Sequence, residues 1–163
     1  MIKAAIITVS DKGARGQRED ISGETIRFIL EKIEAQVVEY KIVPDEIDLI
    51  RQAIIEAVDR IKVDLVLTTG GTGLAARDVT PEATEGVIEK TVSGISEIIR
   101  MESFKKTPKA ILSRAIAGIR KTSLIINLPG SPKGVRESLN IILEALPHGI
   151  DILKGEASEC GKE

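Results

Sequence analysis

The feature that most constrains this chain is a set of short runs dominated by apolar residues. They are AAIITV at 4–9, QVVEYKIV at 36–43, VDLVLT at 63–68 and SLIINL at 123–128, and they are rich in β-branched side chains. Runs of this length, bounded by turn residues, are what strands buried in a sheet require. Between them lie segments with helical spacing: Ile26, Ile29, Leu30 and Ile33; then Ile47, Ile50, Ile54 and Val58; then part of 94–106; then Val135, Leu139, Ile142, Leu143 and Leu146. Strands alternating with helices predict an α/β fold of three layers, with a mostly parallel sheet and helices on both faces. Ser22 and Asp45 stand where helix caps are expected, and Thr80-Pro81-Glu82 carries the signals of a helix start. The stretch 109–120 fits no single element.

A length of 163 residues predicts one domain over 1–154 and a small polar tail over 155–163. The formal charge of −2 names no partner, but its distribution is uneven. From Ser103 to Arg136 there is no acid, while Lys105, Lys106, Lys109, Arg114, Arg120, Lys121, Lys133 and Arg136 are basic. That run is either a solvated face or a positive wall for an anionic ligand. Nucleic acid is not expected, because aromatic residues on which bases would stack make up only 2% of the chain. Cys160 is the only cysteine, which excludes an intrachain disulfide and suits a reducing compartment. No apolar run approaches the roughly 20 residues of a membrane helix, so no membrane association is expected. The segment KAAIITV reads as a strand and not as a leader, and the cytoplasm is the expected location.

Residues 67–84, LTTGGTGLAARDVTPEAT, concentrate backbone freedom directly after a buried run. Gly70, Gly71 and Gly73 would let backbone N–H groups approach an anion, and Thr69 and Thr72 would add hydroxyls. On that reading a Cβ at Gly71 would fill space the ligand needs. The alternative is a tight strand-to-helix turn. A phosphate loop of the Walker type needs Lys-Ser/Thr after its last glycine, and Leu74 stands there instead. A dinucleotide fingerprint is nominally present as Gly71-x-Gly73-x-x-Ala76, but the helix start waits until Thr80-Pro81.

An aspartate beside an anion cradle calls for a cation between the two. Asp78 is so placed, and Asp45 at another strand end would supply a second carboxylate for Mg²⁺. The alternatives are a helix cap for Asp45, and an ion pair with Arg77 or a loop-closing turn for Asp78. In PGSPKG at 129–134, Ser131 and Lys133 would meet a phosphate or a polar ring edge, unless the segment only caps the last helix. His148 has no histidine or cysteine at ligand spacing, so no zinc site is expected.

Together, ITVSDKGARG, IVPDE, TTGGTG, ARDVTPEAT and LPGSPKG resemble the MogA/MoaB family of molybdenum-cofactor biosynthesis proteins, from Ile6 to about Leu146. The resemblance implies a molybdopterin-binding α/β fold and a homotrimer. It implies adenylyl transfer from ATP to the terminal phosphate of molybdopterin, with Mg²⁺ required. The products would be adenylylated molybdopterin and pyrophosphate, on the way to a molybdenum or tungsten cofactor. Catalytic and metal-holding roles fall on Asp45 and Asp78, and substrate binding on Gly70, Gly71, Thr72 and Gly73. Ser10, Thr69, Gly130, Ser131 and Lys133, at strand ends, complete the candidate substrate-binding set. Other cofactor-biosynthesis proteins are the partners the resemblance suggests. The alternative is a non-catalytic pterin-binding or scaffold protein of the same family.

Overall fold

In the computed structural model, which describes residues 1–156, side-chain alternation along the buried strands sets up three layers. The strands are β1 (Ile2–Val9), β2 (Ala35–Val43), β3 (Leu65–Thr69), β4 (Lys90–Thr91), β5 (Ala117–Arg120) and β6 (Ser123–Leu128). β1 sends Ala4 and Ile6 to one face and Ala5, Ile7 and Val9 to the other. β3 divides Leu65 and Leu67 from Val66 in the same way, and β6 divides Leu124, Ile126 and Leu128 from Ile125. This period of two gives each strand apolar residues for both faces.

The helices are α1 (Asp11–Ala14), α2 (Ile21–Leu30), α3 (Ile47–Ile55), α4 (Thr80–Glu85), α5 (Ser93–Phe104), α6 (Pro132–Ile142) and α7 (Ala145–Lys154). Ile26, Ile29 and Leu30 of α2 pack on the first face with Val135 and Leu139 of α6 and Leu146 and Ile150 of α7. Ile50, Ala53 and Ile54 of α3 and Ala83 of α4 cover the second. The sheet order is β2-β1-β3-β6-β5-β4. β2, β1, β3 and β6 are parallel, and β5 and β4 add an antiparallel edge. The expected three-layer, mostly parallel α/β architecture is the one observed.

Several local expectations need correction. The unassigned stretch 109–120 divides into a 3₁₀ turn (Pro108–Leu112) and β5, which hairpins into β6. Lys121 turns that hairpin at φ +54°, without the Asn-Gly pair that would announce it. The last helical pattern is two helices. Pro147 would clash with the Leu143 carbonyl in one continuous helix, and the chain breaks between Ile142 and Ala145. The cap of α2 is Asp20, whose carboxylate accepts from Gly23 N at 2.9 Å. Ser22 instead donates to Gly130 O at 2.7 Å. Asp45 does not cap α3, which begins after Glu46 with no side-chain cap bond. α7 ends at Lys154, followed by Gly155 at φ +73°. Of the expected tail over 155–163, residues 157–163, with Cys160, lie outside the described residues.

Candidate active site

The parallel register sets Ile42, Thr8, Thr69 and Leu128 side by side, so the loops that follow four strands meet at one edge. Ser10 N donates to Val43 O at 2.9 Å, and Gly70 N to Leu128 O at 3.2 Å. Thr69 Oγ1 donates to Pro129 O at 2.7 Å. A Cβ on Gly130 would lie 3.3 Å from Gly70 Cα, so these two loops pack backbone against backbone. Strand-end crevices of this kind are where open α/β sheets bind ligands.

A cleft of about 560 Å³ opens there. Ser10, Asp45, Thr69, Gly70, Gly71, Asp78, Gly130 and Ser131 line it, with Arg18 and Asp20. Thr72 and Gly73 border a second cavity of about 520 Å³ instead, with Ser103, Lys109, Leu112, Ser113 and Asn127. Lys133 lines neither. Gly73 and Asp78 meet across the loop: a Cβ on Gly73 would come within 2.8 Å of Asp78 Oδ2. The glycine loop is therefore a partition with a cavity on either side.

Gly70 and Gly71 have φ of +96° and +68°, a region that L side chains rarely adopt. A Cβ at Gly71 would meet neighbouring side chains of the protein itself. It would run into Thr80 Oγ1 and approach Asp45 Oδ1 at 3.2 Å. Gly71 is required first by packing, because the Thr80 hydroxyl lies beneath it and donates to Gly70 O at 2.8 Å. Gly70 N is taken by Leu128 O, so within the glycine loop an anion would have to meet the amides of Gly71, Thr72 and Gly73.

The carboxylates are organised as a chain. Asp11 N donates to Asp45 Oδ2 at 2.9 Å, and Asp45 N donates to Asp11 Oδ1 at 3.0 Å. Arg77 grips Asp11 with two bonds of 2.6 and 2.8 Å. That bond, then the Asp45 amide, hold the Asp11 carboxyl at about 2. Asp45 moves the other way. Burial pushes its pKa up against the help of the Asp11 amide, and the charges of Asp11 and Asp78 push the same way as burial. Asp78 does not pair with Arg77; its Oδ2 accepts from Ala75 N at 3.0 Å and closes its own loop.

Asp20 and Arg18 are among the lining residues that the sequence did not single out. Asp20 accepts from Thr8 Oγ1 at 2.5 Å and from the Tyr40 hydroxyl, tying the cleft wall to β1 and β2. Burial and then this bond push the Tyr40 phenol up. The Asp-x-x-Gly spacing of an α2 cap was the available signal for Asp20. Arg18 is the one cation among the residues lining the cleft, and nothing in the local sequence marks it. The basic run disperses: Arg114 pairs with Glu82, Arg120 and Lys121 with Asp59, Lys105 with Glu102 and Lys106 with Glu137. Only Lys109 and Arg100 of it and its neighbourhood reach the second cavity. Among the described residues no cluster of three or more His, Cys, Asp or Glu is arranged to hold a metal ion. None of their helices is long and apolar enough to cross a membrane.

In class, this is a small-molecule-binding α/β domain whose site is built from strand-end loops. More particularly, residues 5–148 match the family described as probable molybdopterin binding domain, and the chain belongs to it. The chain is 47% identical over 164 residues to a molybdopterin adenylyltransferase of Helicobacter pylori, covering 99% of this chain and 93% of that one. MoaB of Thermus thermophilus, described as a molybdopterin biosynthesis enzyme, superposes with a TM-score of 0.91 at 46% identity, covering 98% and 100%. The tungsten cofactor synthesizing protein MoaB of Pyrococcus furiosus gives 0.86 at 39% identity, covering 97% and 98%.

Proposed function

We infer that this chain transfers the adenylyl group of ATP to the terminal phosphate of molybdopterin, releasing pyrophosphate. The similarity to molybdopterin adenylyltransferases runs over nearly the full chain. One observation carries the reading into geometry: two cavities of comparable size share the glycine loop as their common wall. A reaction that joins two large substrates needs two pockets meeting at one point.

The carboxylate-lined cleft suits the triphosphate end of ATP. The second cavity suits the pterin, because Leu74, Ile99, Leu112 and Pro129 give it apolar walls while Thr72, Ser103 and Ser113 supply hydroxyls for a polar ring edge. The reacting groups then meet at Gly70–Gly73. An oxygen of the pterin's phosphate monoester attacks the α-phosphorus of ATP. A new P–O bond forms, the bond from the α-phosphorus to the bridging oxygen breaks, and its electron pair leaves with pyrophosphate. The nucleophile is already anionic, so no strong base is required, and catalysis consists of positioning and charge neutralisation. The amides of Gly71 to Gly73 orient phosphate oxygens, and Arg18 offsets charge from the cleft wall.

Mg²⁺ fits the donor set. It takes one or two carboxylates and completes its shell with phosphate oxygens and water. Asp45 and Asp78 both line the cleft, and the charge of Asp78 presses on Asp45, a strain that a divalent cation relieves. When bound, the ion neutralises triphosphate charge. Self-association as a homotrimer has support in exposed Met101 and Phe104 on α5 and Ile111 and Leu112 just beyond it. The cytoplasm, where ATP is made available, is the compartment we propose. An activated product also calls for a partner of the same biosynthesis to receive it.

The test is incubation with molybdopterin, ATP and Mg²⁺, reading pyrophosphate and the adenylylated product. Formation of both at matching rates supports the assignment. Failure to release pyrophosphate with intact substrates overturns it.

A further inference from the structure

We propose that Arg114 is the positioning residue that holds Asp78 at the partition between the two cavities, and so links occupancy of the second cavity to the geometry of the first. This rests on the adenylyl-transfer reading for its kinetic consequence, but its geometry stands independently.

Arg114 lies between the 3₁₀ turn and β5, within the basic run but outside the glycine-loop and strand-end motifs. Its backbone N donates to Thr72 O at 2.9 Å. Its guanidinium then spends its three nitrogens on three separate points of the glycine-loop segment. Nε donates to Gly73 O at 2.8 Å, Nη2 to Asp78 O at 2.6 Å, and Nη1 to the Glu82 carboxylate. The loop is thus gripped where it leaves the glycines, where it carries Asp78, and on the helix that follows.

A rigid planar fork can hold three acceptors in fixed relation, and a lysine ammonium cannot. The grip is also strong. Burial pulls the Glu82 carboxyl upward most strongly, yet the bond and charge of Arg114, together with a backbone hydrogen bond, leave the group lowered. The second oxygen of Glu82 is buried and has no hydrogen-bond partner among the described residues, so the Arg114 bond to the first oxygen is the cationic contact of this carboxylate. The flanking Ser113 and Ala115 line the second cavity. A ligand seated there presses on the same short segment whose middle residue fixes the backbone of Asp78. Coupling through a continuous, hydrogen-bonded element of this kind is physically direct.

The experiment is a double-mutant cycle with Arg114→Lys, which keeps the charge facing Glu82, and Asp78→Asn. Arg114→Lys alone is expected to lower kcat about 10- to 100-fold with little change in KM, as loss of orientation does. In the Asp78→Asn background the same change is expected to cost less than about twofold, because the group it positions is gone. Equal losses in both backgrounds, or wild-type kcat in Arg114→Lys, would overturn the proposal. Amide hydrogen exchange on the full chain separates this from failure of the functional reading. Faster exchange confined to residues 72–80 in Arg114→Lys supports the tie even if the wild-type protein releases no pyrophosphate. Exchange unchanged there, or raised throughout the chain, counts against it.

Discussion

Two arginine–aspartate pairs in this molecule look alike and differ in what surrounds them. Arg77 grips Asp11 through two bonds, and Arg120 grips Asp59 through two bonds of 3.1 and 2.7 Å. Each arginine bond holds its carboxyl at about 2. The Asp11 pair stands at the carboxyl ends of the parallel strands and exchanges backbone hydrogen bonds with Asp45. The Asp59 pair stands at the opposite end, beside the β5–β6 turn, with Lys121 as a further partner, and borders neither cavity. A lowered carboxylate pKa therefore reports a good ion pair and nothing about function. The distinguishing sign is the third carboxylate: Asp45 is pushed up because burial and two neighbouring negative charges act on it together.

The contrast can be broken most sharply at Asp78. Asp78→Asn is expected to lower kcat about 10²- to 10³-fold while pterin binding stays near normal, as loss of a well-placed electrostatic group does. Steady-state pyrophosphate release and a binding titration check it. Near-normal turnover would reduce Asp78 to a loop-closing acceptor for Ala75.

Gly71→Val should act through the fold as well as the site. Its positive φ and the Thr80 hydroxyl beneath it predict a loss of about 1–3 kcal/mol in denaturant unfolding. An unchanged midpoint with abolished binding would restore the view that the glycine serves ligand approach alone.

Asp11→Asn removes the Arg77 pair and loosens the loop that holds Asp45, and a fall in turnover of about tenfold is expected, consistent with small misplacement of a catalytic group. The matched change Asp59→Asn should leave turnover within about twofold, since surface changes away from a site rarely reach it. Equal kinetic effects from both would erase the distinction.

The smallest effect is on acid stability. Both Asp11 and Asp59 sit below the usual 3.8 in the folded protein, so each contributes stability above that pH and loses it as pH falls toward about 2. Asp59→Asn should flatten this acid limb in unfolding measured from pH 5 to pH 2. An acid limb identical to wild type would mean that solvent and salt already cancel the pair.

Much of the architecture was legible because its causes are local. The β-branched runs, the helical spacings and Thr80-Pro81 act over a few residues, and they place four strands and their loops correctly. The antiparallel edge was not legible. β5 has only four residues, and its turn uses Lys121 in a left-handed conformation that composition does not advertise. The loops containing Ser10, Asp45, Gly70, Gly71, Asp78, Gly130 and Ser131 could be named from sequence, and they border one cleft. Thr72 and Gly73 turn to the other cavity, because the chain reverses across Gly70 and Gly71 and the partition has two sides.

By itself, then, the sequence determined the layers, the strand-end loops and the family, since periodicity, turn chemistry and short motifs are properties of neighbouring residues. Tertiary structure decided the partners. Asp45 meets Asp11 and not its own helix, Arg77 reaches Asp11 across 66 positions, and Arg114 reaches Asp78 across 36. Such pairings depend on which loops the parallel register brings to one edge, and hydrogen-bond geometry there is set by three-dimensional approach, which no local pattern encodes.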